Sequence, residues 1–444
     1  MKWRWSAVAS VVVVALCLLL ARASRGSSSR RPNVILISID TLRADHLGCY
    51  GYDKPTTPAL DAFRREGVLF RTAIASAPST LPSHASIFTA LAPQHHGASH
   101  THAIPLAERF VTLTEVLRDA GYRTAAWVGG GQLSPEYGLK QGFDSYEVVD
   151  DGTFEQVVAR ATPFLEAEDK RPFFLFLHSY EVHHPYWPSP EEEARFDSSA
   201  SSTTLPSYID VRLLSDINDG AMHIGAADVT HIANTYDAEI SSMDNGVRRL
   251  AGELKRLGIY DDSIIVFTSD HGEEFGERGF VGWHAHTLYD ELLRVPLIVR
   301  FPSALRAGAE IGGVVRSIDI APMILEAIGI PRIAPFDHFS LATALARGRV
   351  RASDVLLWRE SPPGDAVEHD GLRTPDWKLI DGHLYDLQHD PGERKDVAAA
   401  NPAIASDLTA RMNALIRSQP RPNTHAIAPD NETTQKLRAL GYLQ

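Results

Sequence analysis

Short apolar runs recur along the chain, and each one stops abruptly at polar or glycine residues. The first covers residues 34–39 and stops at Asp40. Four more follow the same pattern: 124–128 before three glycines, 173–177 before His178, 263–268 shortly before Asp270, and 296–299 before Arg300. Runs of this length without a polar face are typical of strands buried on both sides, as in a parallel sheet.

Segments with helical periodicity lie between these runs, for example 113–119 and 238–257. This alternation predicts an α/β fold, in which helices flank a doubly wound, mostly parallel sheet. Residues 189–225 mix Ser, Thr, Pro and Asp, which predicts a long surface insertion. A helical segment is also expected near Asn413.

We divide the chain into four predicted regions on the basis of these patterns. They are a signal peptide or N-terminal anchor at 1–23, a polar linker at 24–31, a catalytic domain at 32–330, and a smaller C-terminal subdomain at 331–444.

The amino-terminal residues have the layout of a secretory signal. Lys2 and Arg4 precede an apolar run at 7–21, and residues 21–23 form an A-x-A-like cleavage site. The alternative is an uncleaved membrane anchor, although the run is short for a membrane span. In both cases we expect the rest of the chain to be exported, to the periplasm or the cell exterior. After cleavage Cys49 would be the one remaining cysteine, which suits an oxidising compartment.

The composition excludes some classes of function. Of the 444 residues, 44% are hydrophobic and 22% are charged, as in a packed globular protein. The formal net charge of −13 at pH 7 argues against a nucleic-acid partner, because binding a phosphate backbone needs basic surface. If the substrate is an anion, the site itself must supply positive potential, from a metal ion or a helix N-terminus.

Polar side chains follow two of the predicted strands directly. Asp40 comes after the first run, and Asp270 and His271 come after a later one. Ligands of open parallel sheets collect at the carboxyl ends of the strands, so we expect these three side chains to lie close together. Two carboxylates and an imidazole form a mixed donor set that suits a divalent cation. The alternative is that each aspartate only caps a turn or a helix.

A second candidate is the hydroxyl-rich segment 76–84, which leads into an apolar helical stretch. Ser79 or Thr80 fits a helix N-cap, and Pro82 fits the first turn. The N–H groups of that turn favour an anion, and a hydroxyl beside them could attack a phosphorus or sulfur centre if a metal ion lowered its pKa. The alternative is a plain capping threonine.

Several longer segments resemble the sulfatase family of the alkaline phosphatase superfamily, in the order in which that family carries them. They are 33–52 (NVILISIDTLRADHLGCYGY), 81–97 (LPSHASIFTALAPQHHG), 173–186 (FFLFLHSYEVHHPY), 268–273 (TSDHGE), 284–299 (HAHTLYDELLRVPLIV), 376–393 (DWKLIDGHLYDLQHDPGE) and the ending LRALGYL. The resemblance implies the alkaline-phosphatase-like α/β fold and a metal-dependent hydrolase of anionic esters.

The resemblance also implies roles for individual residues. Asp40, Asp270 and His271 match the family's metal ligands, and Thr80 falls on the nucleophile position, which also touches the metal. Four residues are candidate catalytic groups, with the histidines contacting the anion or protonating the leaving group: Thr80, His84, His183 and His284. Six other histidines receive no role: His95, His96, His100, His102, His184 and His286.

The sequence departs from the family at the nucleophile. Sulfatases have Cys or Ser in C/S-x-P-x-R, which is oxidised to formylglycine, whereas this chain has Thr80-Leu81-Pro82-Ser83-His84. Many sulfatases also carry paired aspartates after the first strand, where this chain has Asp40 and Thr41. A native threonine resembles the phosphodiesterases and the phosphoglycerol- or phosphoethanolamine-transferring enzymes of the superfamily. We therefore expect hydrolysis of phosphoesters, diesters above all, through Thr80.

The expected cofactor is a divalent metal ion. The His271 ligand favours Mn²⁺ or Zn²⁺ over Ca²⁺, which prefers oxygen ligands. The expected substrate is an anionic ester of a small molecule, glycan or lipid. Three alternatives remain: a sulfatase that works without formylglycine, a phospho-group transferase acting on envelope glycans or lipids, and a non-catalytic binding protein of the same fold.

Overall fold

The computed structural model describes residues 31–149, 152–196, 203–331, 339–350, 354–361, 369–419 and 422–442. The predicted signal peptide or anchor lies outside these residues, as does all of the predicted linker except Arg31. None of the helices in the described ranges combines the length and the apolar character needed to cross a membrane.

The strands are numbered in chain order. They are β1 Asn33–Ile39, β2 Val68–Ile74, β3 Arg123–Val128, β4 Ser145–Val148, β5 Phe173–Ser179, β6 Ser263–Thr268, β7 Glu274–Phe275, β8 Val281–Trp283, β9 Arg294–Val295, β10 Leu297–Arg300, β11 Glu310–Arg316, β12 Val355–Arg359, β13 His369–Arg373, β14 Trp377–Ile380 and β15 His383–Asp386.

The helices are numbered in the same way. They are α1 Pro58–Glu66, α2 Thr80–Thr89, α3 Pro93–His96, α4 Leu113–Asp119, α5 Phe154–Glu166, α6 Pro190–Phe196, α7 Val211–Asn218, α8 Ala226–Arg256, α9 Asp290–Leu293, α10 Ile320–Ala327, α11 Leu341–Arg347, α12 Pro402–Ile416 and α13 Asn431–Ala439.

The main sheet has the order β11-β2-β10-β6-β1-β5-β3-β4, and β9 pairs with β2. The strand β1 lies at its centre and runs parallel to both β5 and β6. The strands β9 and β10 are exceptions: β10 runs antiparallel to β6 and β2, and β9 runs antiparallel to β2. The predicted mostly parallel α/β sheet is confirmed, and the five predicted apolar runs are the strands β1, β3, β5, β6 and β10.

Apolar layers cover both faces of the sheet. Along β1, Val34 and Leu36 contribute to one layer, whereas Ile35, Ile37 and Ile39 contribute to the other. A strand between two such layers has no solvated face, which explains why its sequence lacks polar alternation. The polar groups of the central strands therefore collect where the strands end.

The structure differs from the predictions in two helical regions. The helix expected at 238–257 begins twelve residues earlier, because α8 starts at Ala226. Its first turns mix small, polar and apolar residues without a clear helical period, so the sequence does not mark the start of the helix. The segment 189–225, predicted as a long surface insertion, contains the short helices α6 and α7, which its composition did not indicate. Tertiary contacts supply the stability that the local sequence lacks.

The C-terminal part carries a small antiparallel sheet of order β12-β13-β14-β15, with α12 packed against it. The helix expected near Asn413 is α12. The exact boundary at residue 331 remains a prediction.

Candidate active site

The ends of β1 and β6 bring together three groups, which we call the carboxylate cluster: Asp40, Asp270 and His271. The two strands are adjacent and in register, with Ser38 beside Thr268, so Asp40 and Asp270 each follow two residues later at the same edge. One ligand atom from each of the three residues lies within 4.8 Å of the others. All three side chains are fully buried.

The carboxylate cluster fits a divalent cation. Asp40 Oδ1 and Asp270 Oδ2 are buried without a hydrogen-bond partner among the described residues. Burial raises the pKa of Asp40 to about 6, and burial together with the Asp40 charge raises the pKa of Asp270. Two buried carboxylates side by side are costly unless a cation compensates them. A metal ion of charge +2 would supply that compensation.

His271 is oriented as a metal ligand. Its Nδ1 lies 3.0 Å from the carbonyl of Gly272 and donates to it, which leaves Nε2 as the acceptor that faces the carboxylates. Nε2 lies 3.7 Å from Asp40 Oδ1 and 3.5 Å from Asp270 Oδ2. Burial works against the charged ring, yet the carboxylates of Asp270 and Asp40 raise the pKa of His271.

Thr80 is the first residue of α2, after the extended Ser79. Its Oγ1 lies 3.3 Å from Asp40 Oδ2 and 3.5 Å from His271 Nε2, so the hydroxyl borders the carboxylate cluster. The hydroxyl therefore faces the cluster, and Ser79 is the residue in the N-cap position. The N-terminal end of a helix adds positive potential beside this hydroxyl.

Two further histidines support the cluster from behind. His178, on β5, lies with Nε2 3.1 Å from Asp40 Oδ2. His84 lies one turn after Thr80, and its Nδ1 is 2.8 Å from the Thr80 carbonyl while its Nε2 is 2.9 Å from Ser38 Oγ. Burial lowers the pKa of each ring to about 4. Both ring nitrogens of His84 contact protein groups, so in this arrangement neither faces the space beside Thr80, and its catalytic role stays a prediction.

A second group, the histidine cluster, lies beside the first and consists of His183, His184 and His284. One ring nitrogen from each lies within 4.8 Å of the others, and all three rings are buried. The rings of His284 and His271 have centroids 4.7 Å apart, so the two clusters adjoin.

Each of the two predicted catalytic histidines of this cluster has one nitrogen fixed by the protein. His183 Nδ1 donates to the carbonyl of His184. His284 Nδ1 lies 2.7 Å from Glu273 Oε1, and Glu273 also accepts a hydrogen bond of 2.8 Å from the Tyr186 hydroxyl. Burial opposes ionisation of Glu273, but His284 and His184 hold its pKa well below the usual range. In both histidines Nε2 is left to face the site.

The C-terminal end of the described chain reaches the same place. The hydroxyl of Tyr442 lies 3.1 Å from Thr80 Oγ1, 2.9 Å from His183 Nε2 and 3.2 Å from His284 Nε2. Thr80, His183 and His284 are three of the candidate catalytic groups that the family resemblance implies, and one hydroxyl contacts all three.

Sequence reasoning missed four residues of the site. His178 and Glu273 were within reach, because His178 follows an apolar strand run as Asp40 does, and Glu273 belongs to the TSDHGE segment. His184 and Tyr442 also lie in segments that resemble the family, 173–186 and the ending LRALGYL, but nothing in those segments indicated a place in the site. Tyr442 is 362 residues from Thr80 in sequence, and no periodicity connects them.

Metal-dependent hydrolases use groups of this kind: buried carboxylates, imidazoles and a hydroxyl at the carboxyl edge of a parallel sheet. Comparison with known families agrees. The sulfatase family model matches residues 32–330, and the chain belongs to the sulfatase family. A second model, for the C-terminal part of N-sulphoglucosamine sulphohydrolase, matches residues 276–418. The chain is thus a sulfatase-family hydrolase of sulfate or phosphate esters, and the enzymes of this family use a divalent metal ion.

Two curated relatives show how broad this family is. An N-acetylglucosamine-6-O-sulfatase of Bacteroides thetaiotaomicron is 25% identical over 87% of this chain and 86% of its own. The multifunctional alkaline phosphatase superfamily protein PehA of Trinickia caryophylli is 28% identical, over 85% of this chain and 93% of its own.

Solved structures share the fold. A protein in complex with its substrate D-glucosamine-2-N,6-O-disulfate has a TM-score of 0.74 and 22% identity, covering 88% of this chain and 99% of that one. The phosphonate monoester hydrolase of Agrobacterium radiobacter has a TM-score of 0.71 and 21% identity, covering 90% and 100%. Similar folds thus occur in proteins named for sulfate and for phosphonate esters.

Proposed function

We propose that this protein hydrolyses phosphoesters, diesters in preference, with the unmodified hydroxyl of Thr80 as the nucleophile. The observation that carries the proposal is the position of Thr80 Oγ1, at the start of α2 and 3.3 Å from Asp40 Oδ2. A threonine cannot become the aldehyde that formylglycine chemistry uses. The relative PehA, a multifunctional member of the superfamily, supports a role beyond sulfate esters.

Asp40, Asp270 and His271 would hold the metal ion, with Thr80 at its edge. A bound Mn²⁺ or Zn²⁺ would lower the pKa of the Thr80 hydroxyl and offset the negative charge of the ester. The imidazole of His271 favours these ions over Ca²⁺. His178 and His84 orient Asp40 and α2 by the contacts described above, and we assign them positioning roles.

Thr80 Oγ1 gives its proton to Asp40 Oδ2, 3.3 Å away, and attacks the phosphorus atom while the bond from phosphorus to the leaving oxygen breaks. His284 is the candidate acid for that oxygen. Burial lowers the pKa of its ring to about 3, and the Glu273 carboxylate, whose Oε1 lies 2.7 Å from Nδ1, opposes that shift by stabilising the imidazolium. His183, backed by a carbonyl, contacts the ester oxygens through Nε2. Water, which gives a proton to the now neutral His284 Nε2, then attacks the threonyl phosphate. The bond from phosphorus to Thr80 Oγ1 breaks, Thr80 regains the proton from Asp40, and the second product leaves.

The test is a substrate panel on the chain from Ser24 onward, loaded with Mn²⁺ or Zn²⁺. Nitrophenyl sulfate, phosphate monoester and phosphate diester are compared in the wild type, Thr80→Ala and Thr80→Ser. We expect phosphoester turnover, highest for the diester, that Thr80→Ala lowers by at least about 10³-fold and Thr80→Ser partly retains. Dominant sulfate turnover would contradict the proposal and favour the second candidate, a sulfatase that works without formylglycine.

A further inference from the structure

The last described part of the chain, residues 422–442, forms what we call the C-terminal strap. It consists of an extended stretch, the helix α13 and a short end that carries Tyr442. The strap passes over the site, and its end enters it.

The Tyr442 hydroxyl occupies the position that a substrate would need. Its three contacts, at 2.9 to 3.2 Å, are to Thr80, His183 and His284. These are the groups to which the proposed function gives the attack, the ester oxygens and the leaving oxygen. A phosphoryl group and this phenol cannot both lie within hydrogen-bond distance of the same three atoms.

The strap also closes the route to the nucleophile. Thr80 and the carboxylate cluster have no exposed surface, and His183 and His284 are only 2% and 5% exposed. The aromatic ring of Tyr442 lies against His100, with ring centroids 5.0 Å apart, as well as against His183 and His284. An ester can reach Thr80 only after Tyr442 leaves.

The strap is lightly attached elsewhere. Most of its residues are exposed or half-buried, and its buried apolar anchors are Leu437 on α13 and Leu440 directly after it. Its backbone contacts with the rest of the protein include Ile427 N to the Ala103 carbonyl at 2.8 Å and His184 Nε2 to the Leu440 carbonyl at 3.1 Å. A short segment with so little buried area opens at low free-energy cost compared with the core.

We propose that the C-terminal strap is an autoinhibitory plug, which holds the site closed through Tyr442 and withdraws when an anionic ester competes for Thr80, His183 and His284. The plug rests on the proposed function, because those three contacts are what make Tyr442 a competitor. The apparent affinity for an anion is then the affinity of the open molecules multiplied by the fraction of molecules that are open.

The experiment uses the full chain loaded with Mn²⁺ and inorganic phosphate as the probe. Phosphate affinity is measured by calorimetry for the wild type, Tyr442→Phe, Tyr442→Ala and Leu437→Ala. The last variant loosens α13 without touching the site. We expect Tyr442→Ala to bind phosphate about tenfold or more tightly than the wild type, and Leu437→Ala to change in the same direction. Tyr442→Phe, which keeps the ring and loses the hydroxyl, should lie between.

A second measurement follows the strap itself. Arg438 is exposed on α13, and trypsin cleavage after it should accelerate when phosphate displaces the strap from the wild type. The proposal is overturned if phosphate affinity is unchanged or absent in Tyr442→Ala and Leu437→Ala, or if phosphate leaves the cleavage rate unaltered. A loss of turnover in Tyr442→Ala at unchanged phosphate affinity would instead make Tyr442 a catalytic residue, and would also overturn it.

These outcomes separate the plug from the proposed function. If the variants bind phosphate more tightly but no form of the protein hydrolyses phosphoesters, the plug is supported and the proposed function is contradicted. Phosphoester turnover with unchanged phosphate affinity would do the reverse.

Discussion

The carboxylate cluster and the histidine cluster adjoin, but the chain builds them in different ways. Asp40, Asp270 and His271 directly follow two adjacent, in-register strands, so the sheet itself fixes their separation. His183 and His284 lie on irregular segments after β5 and β8, held by single hydrogen bonds to a carbonyl and to Glu273. The first cluster is suited to bind a cation of fixed radius, and the second to admit and release an ester.

The largest expected effect comes from removing the charge behind His284. Glu273→Gln keeps the side-chain shape but no longer stabilises an imidazolium, so we expect turnover to fall by about 10²- to 10⁴-fold. Affinity for Mn²⁺, measured by calorimetry, should stay close to the wild-type value, because Glu273 is not in the carboxylate cluster. An equal loss of metal binding would show that the two clusters are one unit.

A variant of the carboxylate cluster, Asp270→Asn, should impair metal binding and leave the histidine cluster intact. Mn²⁺ at about 100 times its Kd stabilises a protein that binds it only when folded by about 2.7 kcal/mol, and Asp270→Asn should remove most of that gain. Without metal, Asp270→Asn should be at least as stable as the wild type, since it relieves the repulsion from Asp40.

Thermal unfolding with and without Mn²⁺ measures both effects. Asp262→Asn is the matched control, because Asp262 is exposed at the other end of β6. Wild-type metal stabilisation in Asp270→Asn would remove Asp270 from the ligand set.

A smaller effect concerns the loop that carries the histidine cluster. Glu239, on α8, accepts a hydrogen bond from the backbone of Trp187, three residues after His184. Burial, and then the charge of Glu181, raises the pKa of Glu239 from 4.5 to about 8. Below pH about 4.5 both the folded and the unfolded state hold the proton. As pH rises towards about 8 only the unfolded state loses it, so the free energy of unfolding falls.

We expect this fall to exceed about 1 kcal/mol and to shrink in Glu239→Gln, which can still accept from Trp187. Urea unfolding at a series of pH values measures it, with the exposed Glu168→Gln as control. An unchanged pH dependence in Glu239→Gln would mean that Glu239 is already ionised in the folded state.

The same contrast explains which features of the fold and site could be predicted from the sequence. Apolar runs that stop at Asp40 and Asp270 are local signals, and strand pairing converts them into proximity. The α/β fold and the grouping of Asp40, Asp270 and His271 could therefore be predicted. Tyr442 belongs to the ending LRALGYL, which resembles the family, but its place beside Thr80 could not be predicted because it depends on how the C-terminal strap packs. His84 was expected to contact the ester, but its ring nitrogens contact the Thr80 carbonyl and Ser38 Oγ, a side-chain packing that spacing does not encode.

The central claim is that the native Thr80 hydroxyl forms the covalent intermediate. The most direct measurement is to quench the Mn²⁺-loaded protein with acid during turnover of a nitrophenyl phosphate diester. The quenched protein is digested, and the mass of the peptide that contains Thr80 is measured by mass spectrometry. The account predicts an unmodified threonine before substrate is added and a phosphate ester on Thr80 during turnover. Turnover that proceeds with Thr80 always unmodified, or that survives in Thr80→Ala, would contradict it.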